Sequence, residues 1–229
     1  MKIVFIVWIE LYLQHILYSE TRYHNMCYTT HNSAELAKLA TRFNFNPKYS
    51  LDYAPSGVNV GFTFPQMPVI RSQERDRLAI MTWGLMPSWS QDFDFRRNTL
   101  NARVETIDEK PSFRSYVQNR CLILVDGFYE WQWLDSKGKE KKKYFLSAMD
   151  GEPYAIAGIY HPWINKQSGD IIDGFSIVTA PANEQMSRIH NSKNRMPIVL
   201  DRTNEQAWLD GGDMNQFLNI PLLKEEVMN

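Results

Sequence analysis

Seven short apolar runs constrain this chain more than any other feature: Met67–Ile70, Leu78–Trp83, Cys121–Trp131, Tyr144–Met149, Tyr154–Tyr160, Phe175–Ala180 and Pro197–Leu200. Turn residues bound them and β-branched and aromatic residues fill them, so they read as strands. No regular strand–helix alternation runs between them, which argues against a doubly wound parallel sheet. The expectation is an α+β fold, a single domain with a largely antiparallel, barrel-like β core and short peripheral helices. Asn32-Ser33-Ala34-Glu35 has the form of a capping box, with Leu36, Leu39 and Phe43 following at helical spacing, which predicts a helix over 33–43. Further helical pieces are expected at Pro181–Ile189 and after a second box, Thr203-Asn204-Glu205-Gln206, while Asn46–Pro65 reads as irregular. The basic segment Lys137–Lys143 reads as a solvated hairpin end.

Composition narrows the function classes. Lys and Arg number 25 against 26 Asp and Glu in 229 residues, so any polyanion site must be a local patch. Two cysteines, Cys27 and Cys121, form no CxxC pair, which supports neither a disulfide scaffold nor a structural zinc site and fits a reducing, cytoplasmic setting. Cys121 is expected in a buried strand without a catalytic role. The signatures GxxxxGK[ST], GxGxxG, GxSxG and HExxH do not occur. Near the start, Ile3–Ile9 is apolar but too short for a bilayer span of about 20 residues, so no membrane association is expected, and Leu17-Tyr18-Ser19 is a poor signal-peptide cleavage site. Residues 1–25 read as an extension, either a mis-called start or a removable leader, before a domain over 26–229.

Four polar features interrupt the apolar pattern. Asn101-Ala102-Arg103-Val104-Glu105-Thr106 opens directly after Leu100 and, alone, reads first as a loop salt bridge, since an Asn-Arg pair with Glu two residues on usually is one. Asp126-Gly127-Phe128-Tyr129-Glu130-Trp131 ends an apolar run with a carboxylate between aromatic rings, which is either a desolvated general acid or base or a rim glutamate paired with a lysine. His190 sits in the basic loop Arg188–Pro197, as a proton shuttle or a surface residue. Cys27 follows Met26. A chain beginning at Cys27 would carry an amine and a thiol on adjacent carbons, and such an aminothiol condenses with aldehydes.

Met26-Cys27, Trp83-Gly84-Leu85-Met86-Pro87-Ser88-Trp89, Asn101–Thr106, Gly127-Phe128-Tyr129-Glu130-Trp131, Val178-Thr179-Ala180 and Ile189-His190 with Arg195-Met196-Pro197 together resemble the SOS response-associated peptidase (SRAP) family, over residues 26 to about 209. The resemblance implies a sensor of abasic sites in single-stranded DNA that captures them as a thiazolidine DNA–protein crosslink. By the same resemblance Glu130 and His190 open the closed sugar, Asn101 orients Cys27 and the opened sugar, Arg103 and Arg195 meet phosphates, Trp89 stacks on bases, and Thr179 joins the DNA-binding set. No metal or organic cofactor is implied, and the protein is expected to be monomeric. Two other readings stay open: an autoproteolytic thiol peptidase that removes its own leader, and a single-strand-binding module silenced by the extension. The chain departs from the family at Tyr28-Thr29, where Gly-Arg is frequent, and at Ser90, where a second Trp is frequent. Leu51–Pro55 and Val58–Phe62 each match part of an aromatic-Asn-x-x-Pro segment. The chain also ends soon after Trp208, which reads as loss of the family's last strand.

Overall fold

The apolar runs become a closed ring of strands. A computed structural model describes residues 28–50 and 52–228. Its strands are β1 (Thr29–Asn32), β2 (Gly57–Val60), β3 (Gln66–Arg71), β4 (Glu74–Trp83), β5 (Asn101–Arg103), β6 (Arg120–Val125), β7 (Gly127–Trp133), β8 (Lys141–Ser147), β9 (Tyr154–Ile164), β10 (Ile171–Pro181), β11 (Arg195–Pro197), β12 (Val199–Leu200) and β13 (Lys224–Met228). Helices α1 (Leu36–Phe43), α2 (Glu184–Ile189) and α3 (Asn204–Leu209) lie between them. Strands β10, β4, β3, β6 and β9 pair in that order, and β9 pairs back to β10, closing a five-stranded barrel. Four of its joints are antiparallel. The fifth, β4 with β10, is parallel. β5 and β11 add to β10, and β12 to β9.

A second sheet, all antiparallel in the order β13-β8-β7-β1-β2, grows out of the barrel. The junction is Asp126: the single run expected over Cys121–Trp131 is two strands that part there. Its amide donates to the His31 carbonyl at 2.9 Å, and its carboxylate accepts from the Ser33 hydroxyl at 2.7 Å and from the Ser33 amide. Asn32 bridges the two sheets from the other side, its Nδ2 donating to the Leu124 carbonyl at 2.9 Å and its Oδ1 accepting from the Tyr53 hydroxyl at 2.6 Å.

These contacts explain a difference from the sequence reading. α1 begins at Leu36 behind Glu35, with no side-chain cap, because Asn32 and Ser33 are already engaged. At α2 the cap is Asn183, which accepts from the Met186 amide at 2.9 Å. Before α3 the Asp201 carboxylate accepts from the Thr203 and Asn204 amides, so Thr203 itself does not cap. Chain after Trp208 does supply a further strand, since β13 pairs with β8 from Lys224↔Ser147 to Met228↔Lys143. β6 is buried at every residue, one face having α3 against it, where the Trp208 indole donates to the Cys121 carbonyl at 3.0 Å. Cys121 is fully enclosed, and burial pushes its thiol far up. Among the described residues no helix is long and apolar enough to cross a membrane, and no group of three His, Cys, Asp or Glu side chains is arranged to hold a metal.

Candidate functional site

β7 is paired on both sides, with Glu130 opposite Tyr144 of β8. Alternation along the strand sends Phe128, Glu130 and Gln132 to one face and Tyr129, Trp131 and Trp133 to the other. The Glu130 side chain is 97 % enclosed, 3 % remaining exposed. Across from it, α2 ends at His190, whose amide still donates to the Met186 carbonyl at 2.6 Å. Two hooks hold that helix end on β7. Gln132 Nε2 donates to the Arg188 carbonyl at 3.0 Å, and the Asn191 side-chain amide makes paired bonds of 2.9 Å with the Trp133 backbone. The result is a buried pair, with His190 Nδ1 at 3.9 Å from Glu130 Oε2. His190 Nδ1 also lies 2.8 Å from the Arg195 carbonyl. A carbonyl only accepts, so Nδ1 carries a proton and Nε2 is left as the atom that can take up or release one.

Arg195 is buried, and its guanidinium is engaged on two sides. Nη1 bonds Glu105 Oε1, while Nη2 reaches Glu105 Oε2 at 3.0 Å, the Thr179 carbonyl at 2.8 Å and Thr179 Oγ1 at 3.1 Å. Burial alone would raise the Glu105 carboxyl, but the hydrogen bond and charge of Arg195, with Arg103 nearby, hold it below the usual carboxylate value. This clamp ties the turn after β5 to β10 and β11. β5 runs parallel to β10, setting Asn101 beside Ile177 and Arg103 beside Thr179. Asn101 is buried, whereas Arg103 is exposed at the strand end.

Trp89 stands on another element, the loop after β4, which Gly84 turns at φ 129°. It is 51 % exposed and packs edge-on against Phe95 with ring centroids 4.9 Å apart. Its neighbours are pinned: the Ser88 amide donates to the Tyr116 hydroxyl at 2.7 Å, and the Trp163 indole donates to the Ser90 carbonyl at 3.1 Å.

Glu130, His190, Arg195 and Thr179 are thus joined by direct contacts, with Asn101 and Arg103 on the adjoining strand. Cys27 lies outside the described residues. Its neighbour Tyr28 accepts a 2.8 Å bond from the Gly61 amide at its carbonyl, and continuing the β1–β7 register by one position brings it level with Glu130. Of the two candidate aromatic-Asn-x-x-Pro segments, Val58–Phe62 borders this point, with the Phe62 and Tyr28 rings 4.6 Å apart. Sequence reasoning missed the hooks Gln132 and Asn191. The one signal for Asn191 is a side-chain amide directly after His190, outside any helix pattern.

The fold and this buried pair mark a class, a barrel that carries a Glu–His couple beside the start of its first strand. The chain belongs to the SOS response associated peptidase (SRAP) family, which it matches over residues 26–226. It is 38 % identical over 160 residues to the abasic site processing protein YoqW of Bacillus subtilis, covering 69 % of this chain and 68 % of that protein. To the abasic site processing protein HMCES of Pongo abelii it is 32 % identical over 169 residues, 60 % of this chain and 46 % of that protein. A crystal structure of a protein from Bacteroides thetaiotaomicron superposes with a TM-score of 0.79 at 30 % identity, covering 89 % of this chain and 92 % of that one. A Bordetella bronchiseptica protein shares the fold with a TM-score of 0.73 at 22 % identity, over 89 % of this chain and all of that one.

Proposed function

We propose that this protein processes abasic sites in single-stranded DNA, Cys27 closing a thiazolidine on the sugar once its α-amine is free. The observation that carries the reading is the enclosed Glu130–His190 pair, its imidazole held at Nδ1 by the Arg195 carbonyl. An abasic deoxyribose is mostly a closed hemiacetal. Opening it takes a proton from the C1′ hydroxyl and returns one to the ring oxygen, and this pair can supply both transfers. The Cys27 amine then adds to C1′, the former carbonyl oxygen leaves as water, and the thiolate adds to the resulting iminium carbon to close the ring. Cys27 directly precedes Tyr28, which the continued β1–β7 register sets level with Glu130. Asn101 orients the opened sugar. Exposed Arg103 meets phosphate and Trp89 offers a stacking face, while Arg195 and Thr179 hold the phosphate-facing strand ends in place. The names of the relatives support abasic-site processing; domain limits of 26–229, a monomeric state and the absence of any cofactor are parts of the same reading.

The test is intact mass. Protein beginning at Cys27, mixed with single-stranded DNA containing one abasic site, is expected to give an adduct equal to the two masses less one water. Protein retaining residues 1–26 has an amide nitrogen at Cys27 and is expected to bind the strand without that adduct. An undiminished stable adduct from Cys27→Ala would overturn the reading.

A further inference from the structure

β7 has a second face, and the proposed chemistry does not use it. Opposite Glu130, the strand presents Tyr129, Trp131 and Trp133, paired across the ladder with Phe145, Lys143 and Lys141. The lysines lie on the rings: Lys143 Nζ is 4.2 Å from the Tyr129 centroid and 5.7 Å from that of Trp131, and Lys141 Nζ is 5.7 Å from that of Trp133. On the same face Glu226 of β13 is offset by Lys224. Apart from Tyr129, which is buried, these rings and the two β8 lysines are only partly covered. The hairpin tip beyond them adds Lys137 and Lys139. The tip also carries two acids, Asp135, whose carboxylate is occupied by the turn amides of Lys137, Lys139 and Glu140, and Glu140 itself.

Aromatic rings interleaved with cations on an open sheet are the chemistry that binds unpaired nucleic acid strands, rings meeting bases and cations meeting phosphates. From this geometry and its charge we infer that the outer face of the β7–β8 hairpin is a second contact surface for single-stranded DNA. It takes the length of strand flanking the abasic site, led around the lysine-bearing tip. From Glu130 to the tip at Leu134 is four residues, about 13 Å along the strand, so a strand held at Glu130 reaches the outer face only when it extends beyond the site. The inference rests on the reading of Glu130 as the abasic-site residue and adds a length requirement to it.

Affinity for oligothymidylates of about 5 and about 20 nucleotides, which bracket common single-strand site sizes, separates the two. For the unaltered full chain, the longer strand is expected to bind more tightly. Lys141→Gln/Lys143→Gln removes two phosphate contacts, each contributing about 0.7 to the slope of log affinity on log salt. The slope for the longer strand should therefore fall by about 1.4, equivalent to roughly 25-fold weaker binding at 0.1 M salt. Binding of the shorter strand should be unchanged, and Lys141→Arg/Lys143→Arg should restore the longer-strand affinity. Equal affinity and slope in native and Gln proteins, both still melting at the native temperature, overturns this inference and leaves the abasic-site reading standing. Failure of the native chain to bind either strand overturns both.

Discussion

At the scale of single residues, the pair that moves protons and the groups that hold DNA are separate sets. Glu130→Gln and His190→Ala are expected to slow crosslinking by about a hundredfold or more, the usual contribution of general acid–base groups. Binding of an unmodified single strand should change by less than about twofold, since neither side chain is exposed to phosphate; a gel-shift titration beside a single-turnover rate distinguishes the two. Arg195 illustrates why residue type alone misleads. The family resemblance implies a phosphate contact, yet its guanidinium is turned inward onto Glu105 and Thr179 while its carbonyl fixes the tautomer of His190. The clamp also sets a pH dependence. Because Glu105 has its folded value held down, its stabilisation is full above the unfolded value of about 4.3 and is lost as pH falls through the lower folded value. Chemical denaturation between about pH 5 and pH 2 should show a loss of stability in the native chain that is absent from Glu105→Gln, the variant being already less stable at pH 7.

Among the elements, legibility followed burial. β3, β4, β6, β9 and β10 are readable because barrel strands are apolar on long stretches, and β6 is so from Cys121 onward. β1, β2 and β13 are not, because Thr-Thr-His-Asn, Gly-Val-Asn-Val and Lys-Glu-Glu-Val-Met carry polar residues through their length, and β2 and β13 are sheet edges. The two capping boxes are overridden from outside their four-residue windows: Asn32 and Ser33 are held by Leu124, Tyr53 and Asp126, and Asp201, two residues before the second box, takes the amides of Thr203 and Asn204. Glu130 and His190 were each ambiguous alone and became a pair only through α2 docking on β7, a contact between segments 60 residues apart that no local pattern encodes. Asn32 gives a measurable case. It is fully buried and serves β6 and Tyr53 at once. Asn32→Ala should lower stability by about 2 kcal/mol through the unsatisfied Leu124 carbonyl and the lost Tyr53 bond, read from urea denaturation, with α1 retained.

For the molecule as a whole, the barrel is a frame from which the second sheet, β5 and β11 are hung, and β10 is shared by most of the site. Arg103, Thr179 and Arg195 all reach their positions by pairing with it or lying in it. The parallel joint between β4 and β10 consists of two pairings, Gly174↔Thr82 and Phe175↔Trp83, supported by the Gly84 amide donating to the Phe175 carbonyl at 2.8 Å. It is the shortest joint in the ring and bridges 92 residues of sequence. Native-state hydrogen exchange is expected to find the Gly84 amide opening at lower free energy than the amides of β6, which is fully buried and paired with both β3 and β9.

That short seam has a consequence for biogenesis. A ribosome must deliver Phe175 before the ring can shut, so while the 92 residues after Trp83 are made β4 shows an unclaimed hydrogen-bonding rim, the kind of surface on which nascent chains stick to one another. Closure across so long an intervening stretch is slow, and the interval between emergence of β4 and arrival of β10 is when this protein would most need a chaperone.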